Sequence, residues 1–150
     1  MGRYIQYLQG YIKNSEKNFS YDYFSVINMF DYYMFKKIEC FDINKINILI
    51  EDKNEFSIDI VESINQVFIS LFTPFEEFEN LTIYKGRELL ATKILESLMI
   101  FADKYEIDKN HFINCFNILK QKEFLFNDNI IVTKKHKREI NFLSFIPMSG

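Results

Sequence analysis

From about residue 84 to residue 105 the chain carries its most restrictive stretch. Leu89, Leu90, Ala91, Ile94, Leu95, Leu98, Met99, Phe101 and Ala102 cover most of the circumference of a helix, while Glu88, Thr92, Lys93, Glu96 and Ser97 fall along one narrow polar stripe. A helix that is apolar nearly all round has to be surrounded by other elements. Its longest run free of polar or ionisable side chains, Leu98 to Ala102, is far short of the 18 or so residues needed to span a bilayer. The stretch therefore reads as the centre of a core.

Helical spacing elsewhere supplies candidates for the surround. Tyr4, Ile5, Leu8, Tyr11 and Ile12 predict a first helix, weakened by Gly10. Tyr23, Phe24, Ile27, Phe30, Tyr33 and Met34 predict a second, and Ile43, Ile46, Leu49 and Ile50 a short third after Asp42 as N-cap. Ile60, Val61, Ile64, Val67, Phe68, Leu71 and Phe72 follow offsets 0, 1, 4, 7, 8, 11 and 12, the cleanest helical stripe in the chain, which should end before Pro74. Phe112, Ile113, Phe116 and Leu119 predict a sixth helix, and Ile140, Phe142, Leu143 and Ile146 a short last one. The expected fold is all-α, a single domain over residues 1–150 with about seven helices around a central hydrophobic one.

Composition narrows the function. With 150 residues, 48% hydrophobic side chains, four Gly and two Pro, the chain is expected to fold as one ordinary domain. A net charge of −3 gives no electrostatic footprint for nucleic acid. The start, MGRYIQYLQG, has neither the apolar core of a secretory signal nor the Ser or Thr of a myristoylation site, and a cytoplasmic location is expected. Cys40 and Cys115 are too few for a disulfide framework and read as small buried groups.

No constellation points to catalysis. Glu76, Glu77 and Glu79 lie on a loop without a partner His or nucleophile and read as a solvated acidic segment. His111 and Cys115, four apart on a helix, are two ligands where a structural zinc takes four. Lys134, Lys135, His136, Lys137 and Arg138 form the one dense basic run, a solvated loop or a segment that would lie beside a membrane anchor. The expectation is a non-enzyme with no cofactor and no metal.

The residues QVFISLF at 66–72, then Gly86 and Arg87 ahead of the apolar helix, resemble the first homology motif of the Bcl (B-cell lymphoma) family of apoptosis regulators. The segments FSIDIVESINQVF and GRELLATKILESLMIF are similar to the corresponding helices of its divergent poxviral members, and the resemblance covers about residues 56–102. It implies a Bcl-like helical bundle and a surface groove receiving the amphipathic death-ligand helix of pro-apoptotic relatives. By that resemblance Arg87 pairs with the ligand's Asp beside Gly86. Ile64, Val67, Phe68 and Leu71, with Leu90, Ile94, Ile46 and Ile50, form the floor and wall of the groove. The implied function is viral inhibition of host apoptosis in the host cytoplasm, reaching the mitochondrial outer membrane only in a longer form with a C-terminal anchor. Two alternatives remain open: action on innate immune signalling adaptors through another surface, and a structural homo-oligomer such as a homodimer.

Overall fold

The structure, a computed structural model, describes residues 4–13, 19–34, 38–39 and 43–125. Strand β1 (Tyr4–Ile5) runs into β2 (Tyr7–Lys13), followed by helix α1 (Ser25–Tyr33), β3 (Ile38–Glu39), β4 (Lys45–Glu51), β5 (Ser57–Val61), β6 (Gln66–Ser70), the long helix α2 (Ile83–Lys104) and α3 (Asn110–Gln121). Four strands form a mixed sheet in the order β2-β4-β6-β5. In it β2, β4 and β6 are parallel, and β5 lies antiparallel to β6 at the edge. The short β1 pairs with β3 in a separate two-stranded ladder.

The expected all-α bundle of about seven helices is thereby corrected: among the described residues the chain is an α/β fold with three α-helices beside a four-stranded sheet. Three predicted helices are strands. The stripe assigned from Ile60 to Phe72 is two strands joined by a 3-10 turn at Glu62–Ile64, with Asn65 in the left-handed region at φ 56°. The two strands fold back on each other, so that Ile60 and Val67 share the inner face and Val61 and Phe68 the outer one, and these pairs seven residues apart mimic a helical stripe. Ile69, fully buried yet off that stripe, fits only the strand. The same holds at 45–51, where Ile46, Ile48 and Ile50 alternate inward, and at 7–13, where Leu8, Gly10 and Ile12 share the inner face. Dense β-branched residues favour this pleated outcome over a helix.

The helices that were expected at 23–34, 84–105 and 112–119 are present as α1, α2 and α3. Thr82 caps α2, its Oγ1 accepting from the Lys85 N–H at 3.1 Å. At α3, Asp108 Oδ1 accepts from the Asn110 N–H at 2.9 Å. The proposed helix at 140–146, the basic run at 134–138, Asp42 as a cap and Cys40 lie outside the described residues.

The core forms between the inner face of the sheet and the helices. Ile46, Ile48 and Ile50 of β4 and Val67 and Ile69 of β6 are fully buried in one hydrophobic cluster with Leu90, Ala91, Ile94, Leu98, Phe101 and Ala102 of α2 and Phe112, Cys115 and Leu119 of α3. Each such Ile, Leu or Phe contributes roughly 1.5–3 kcal/mol relative to exposure. Helix α1 crosses from β2 to the parallel β4 and packs so close to β2 that a Cβ on Gly10 would lie 2.3 Å from Ile27 Cδ1. Asp31 of α1 accepts from the Leu8 N–H at 2.9 Å, capping a backbone donor on the edge strand. Among the described residues no helix is long and apolar enough to cross a membrane.

Candidate binding surface

The residues expected to form a groove are placed differently. Ile46, Ile50, Val67, Leu71, Leu90 and Ile94 do come together, but as sealed core, each at most 1% exposed. A fully buried set of this kind offers no seat to a ligand helix. Phe68 points to the opposite face of the sheet from Val67, and Ile64 sits on the β5–β6 turn, 47% exposed.

Gly86 and Arg87 hold the chain to itself. A Cβ at position 86 would lie 2.1 Å from Tyr23 Cε1, so glycine there admits the Tyr23 ring against the start of α2. Tyr23 belongs to an aromatic cluster with Phe19 and Phe78, at centroid distances of 5.2 Å and 5.4 Å. Arg87 Nε donates to the Asp22 carbonyl at 2.9 Å, tying the same 3-10 turn (Tyr21–Tyr23) to the helix. Both residues that carried the motif are accounted for by this clamp.

The acidic segment at 76–79 is a 3-10 helix (Phe75–Phe78) and the turn after it, in which Glu76, Glu77 and Glu79 are exposed and Phe75 and Phe78 buried. Glu77 pairs with Lys93 of α2 at 2.9 Å. His111 and Cys115 do not converge with further ligands: among the described residues no group of three or more His, Cys, Asp or Glu could hold a metal ion. The Cys115 thiol is buried and donates to the Phe30 carbonyl at 3.6 Å.

The surface the structure leaves for recognition is the outer face of the sheet. Register places Tyr7, Gln9, Tyr11 and Lys13 of β2 beside Lys45, Asn47, Leu49 and Glu51 of β4. Gln66, Phe68 and Ser70 of β6 follow, then Val61, Asp59 and Ser57 of β5. Tyr7 and Tyr11 are 52% and 40% exposed, and Leu49, Phe68 and Val61 partly so. At the centre Asn47 is buried: its Nδ2 donates to Gln66 Oε1 at 2.9 Å and to the Val67 carbonyl at 3.2 Å, while its Oδ1 has no hydrogen-bond partner. Lys13 and Lys45 balance Glu51 and Asp59, so the face carries no single sign of charge.

Strands about 4.8 Å apart, rising about 3.3 Å per residue, give this face an area of roughly 400 Å². Tyr7, Gln9, Tyr11, Asn47 and Gln66 escaped the sequence reading because the helical period put Tyr11 inside and left the amides unassigned. The signal was the alternation in YLQGYIK, Tyr-Gln-Tyr-Lys against Leu-Gly-Ile.

Comparison with protein-family models, with curated proteins and with solved structures finds nothing that matches this chain.

Proposed function

We propose that the chain is a non-catalytic binding protein that engages a protein partner through the outer face of its sheet. One observation carries this reading: a largely parallel sheet, a class ordinarily covered on both faces, presents Tyr7, Tyr11, Phe68 and Leu49 beside the amides of Gln9 and Gln66 on its outer side. Tyrosine supplies rigid amphipathic area at low entropic cost, and the exposed Gln9 and partly exposed Gln66 supply adaptable hydrogen bonds, a mixture that protein-recognition surfaces use. The balanced charge favours a protein over nucleic acid, whose phosphates require an excess of Lys and Arg. An area of roughly 400 Å² is about half of what each partner buries in a standard interface, which places the complex in the small, transient class.

Capture of a death-ligand helix had its support in a helical groove, and the strands at 45–51 and 66–70 remove that support. The surface reading keeps binding as the mode of action and moves it to a different set of residues.

The test joins recovery to reconstitution. A protein recovered with the chain from the producing cells is purified, mixed with the chain, and the complex mapped by hydroxyl-radical footprinting. Tyr7, Tyr11 and Phe68 are expected to lose reactivity on binding. Tyr7→Ser with Tyr11→Ser is expected to weaken the complex at least about tenfold, aromatic anchors costing more than about 1 kcal/mol each when truncated, with the melting transition unchanged. Protection confined to other elements, or full affinity in the double variant, overturns the reading. A dimer of the chain alone, protected at these same residues, replaces the partner by a second copy.

A further inference from the structure

Beyond the carboxyl end of β6, on the α2 side of the sheet, Phe56, Phe72 and Ile100 frame a cleft of about 200 Å³ with Lys93, Glu96 and Ser97 on its wall. Small-molecule sites ordinarily occupy about 300–1,000 Å³, so this one suits a single side chain better than a free metabolite. Phe72 and Ile100 are large apolar residues left 43% and 49% exposed at its mouth.

The polar groups around the cleft differ in what they have left to offer. Lys93 is engaged twice, with Glu77 at 2.9 Å and over the Phe72 ring at 5.1 Å from its centroid. Ser97 Oγ donates to the Ile94 carbonyl at 2.7 Å. Glu96 is exposed and, among the described residues, carries neither a hydrogen bond nor an ion pair. The uncommitted charge on the wall is therefore negative, and Glu77 has already neutralised the one cation beside it. All but four of the 18 basic residues and all but two of the 21 acidic ones precede residue 126, so the surrounding chain is acidic as well.

We propose that this cleft receives an arginine side chain of a partner protein, its aliphatic stem against Phe56 and Ile100 and its guanidinium on the Glu96 carboxylate. An arginine stem covers apolar surface while the head stays in water, and the planar guanidinium matches a carboxylate with two parallel hydrogen bonds. The proposal rests on the binding reading only in that the arginine belongs to a protein. The cleft and the outer sheet face are separate surfaces.

The test is a ¹H–¹⁵N chemical-shift titration of the whole chain with Nα-acetyl-arginine amide, run beside the citrulline and norleucine analogues. Saturable shifts are expected at Phe56, Phe72, Glu96, Ser97 and Ile100, with affinity near the millimolar range. Arginine should bind about two- to fivefold tighter than citrulline, as an exposed ion pair allows. Glu96→Gln, an exposed substitution on α2, should abolish that preference, and Ile100→Gln should weaken both ligands alike. Absent or non-saturable shifts, equal affinity for arginine and citrulline, or a preference that survives Glu96→Gln each overturn the proposal. Shifts at Tyr7 and Tyr11 in place of the cleft do so too. Tyr7→Ser with Tyr11→Ser should leave this titration unchanged, so failure here and failure of the sheet-face reading are told apart.

Discussion

At the scale of single residues, two glycines each admit a buried side chain from a neighbouring element. A methyl at position 10 meets the buried, branched Ile27 side chain, at 2.3 Å from Cδ1 and 2.9 Å from Cγ2, so Ile27 would have to shift as a whole. A methyl at position 86 meets the Tyr23 ring, which Phe19 and Phe78 hold in place. Gly86→Ala is therefore expected to destabilise the chain by about 1–2 kcal/mol, overpacking of about 1–3 kcal/mol exceeding the gain of at most about 1 kcal/mol in helix propensity. Denaturant midpoints check this, and with Tyr23→Ala already in place the added cost of Gly86→Ala should largely vanish, the mark of direct coupling. Tyr33 supplies a pH signature. Burial first, then the neighbouring Tyr32 and Cys115, raise its pKa above the ordinary 10.0. The folded state then holds the phenol proton that the unfolded chain gives up. The contribution is present below about pH 10 and is lost as pH rises through the raised value. Tyr33→Phe should show a shallower loss of melting temperature than the parent across that alkaline range.

At the scale of elements, the division between what was legible and what was not follows periodicity. Helices α1, α2 and α3 were legible because bulky apolar groups recur at three and four residues over 9, 22 and 12 positions. The strands were not, because β4, β5 and β6 span only 7, 5 and 5 residues, and over such lengths the two periods share most of their positions. Gly10 and Asn65 marked breaks that a helix would not keep: a close approach of α1 at the first, a left-handed turn at the second. Assigning β4 and β6 as helices turned core residues into a groove. Ile94 separates the two pictures. As fully buried core, Ile94→Ala should cost about 2–5 kcal/mol in unfolding free energy, whereas a ligand-facing wall would have lost affinity with little change in stability.

At the scale of the whole molecule, the chain places all its described helices with one face of the sheet and leaves recognition to the other. Protection should follow that asymmetry: in native-state hydrogen exchange the slowest amides are expected in β4, paired on both sides and carrying Ile46, Ile48 and Ile50 at full burial. The outer amides of β2 should exchange faster except Leu8, whose N–H is held by Asp31. Uniformly fast exchange in β4 would contradict the central position of that strand. Sequence alone determined that a long apolar helix must be enclosed and where three helices run, since these depend on local spacing and on the area each side chain removes from water. Tertiary structure decided the rest. Strand pairing joins residues far apart in the chain, so only the assembled sheet shows which of two alternating sets is inside. That pairing buried the residues of the expected groove, put Tyr7, Tyr11 and Phe68 on the outer face, and turned Gly86 and Arg87 into a clamp on Tyr23 and Asp22.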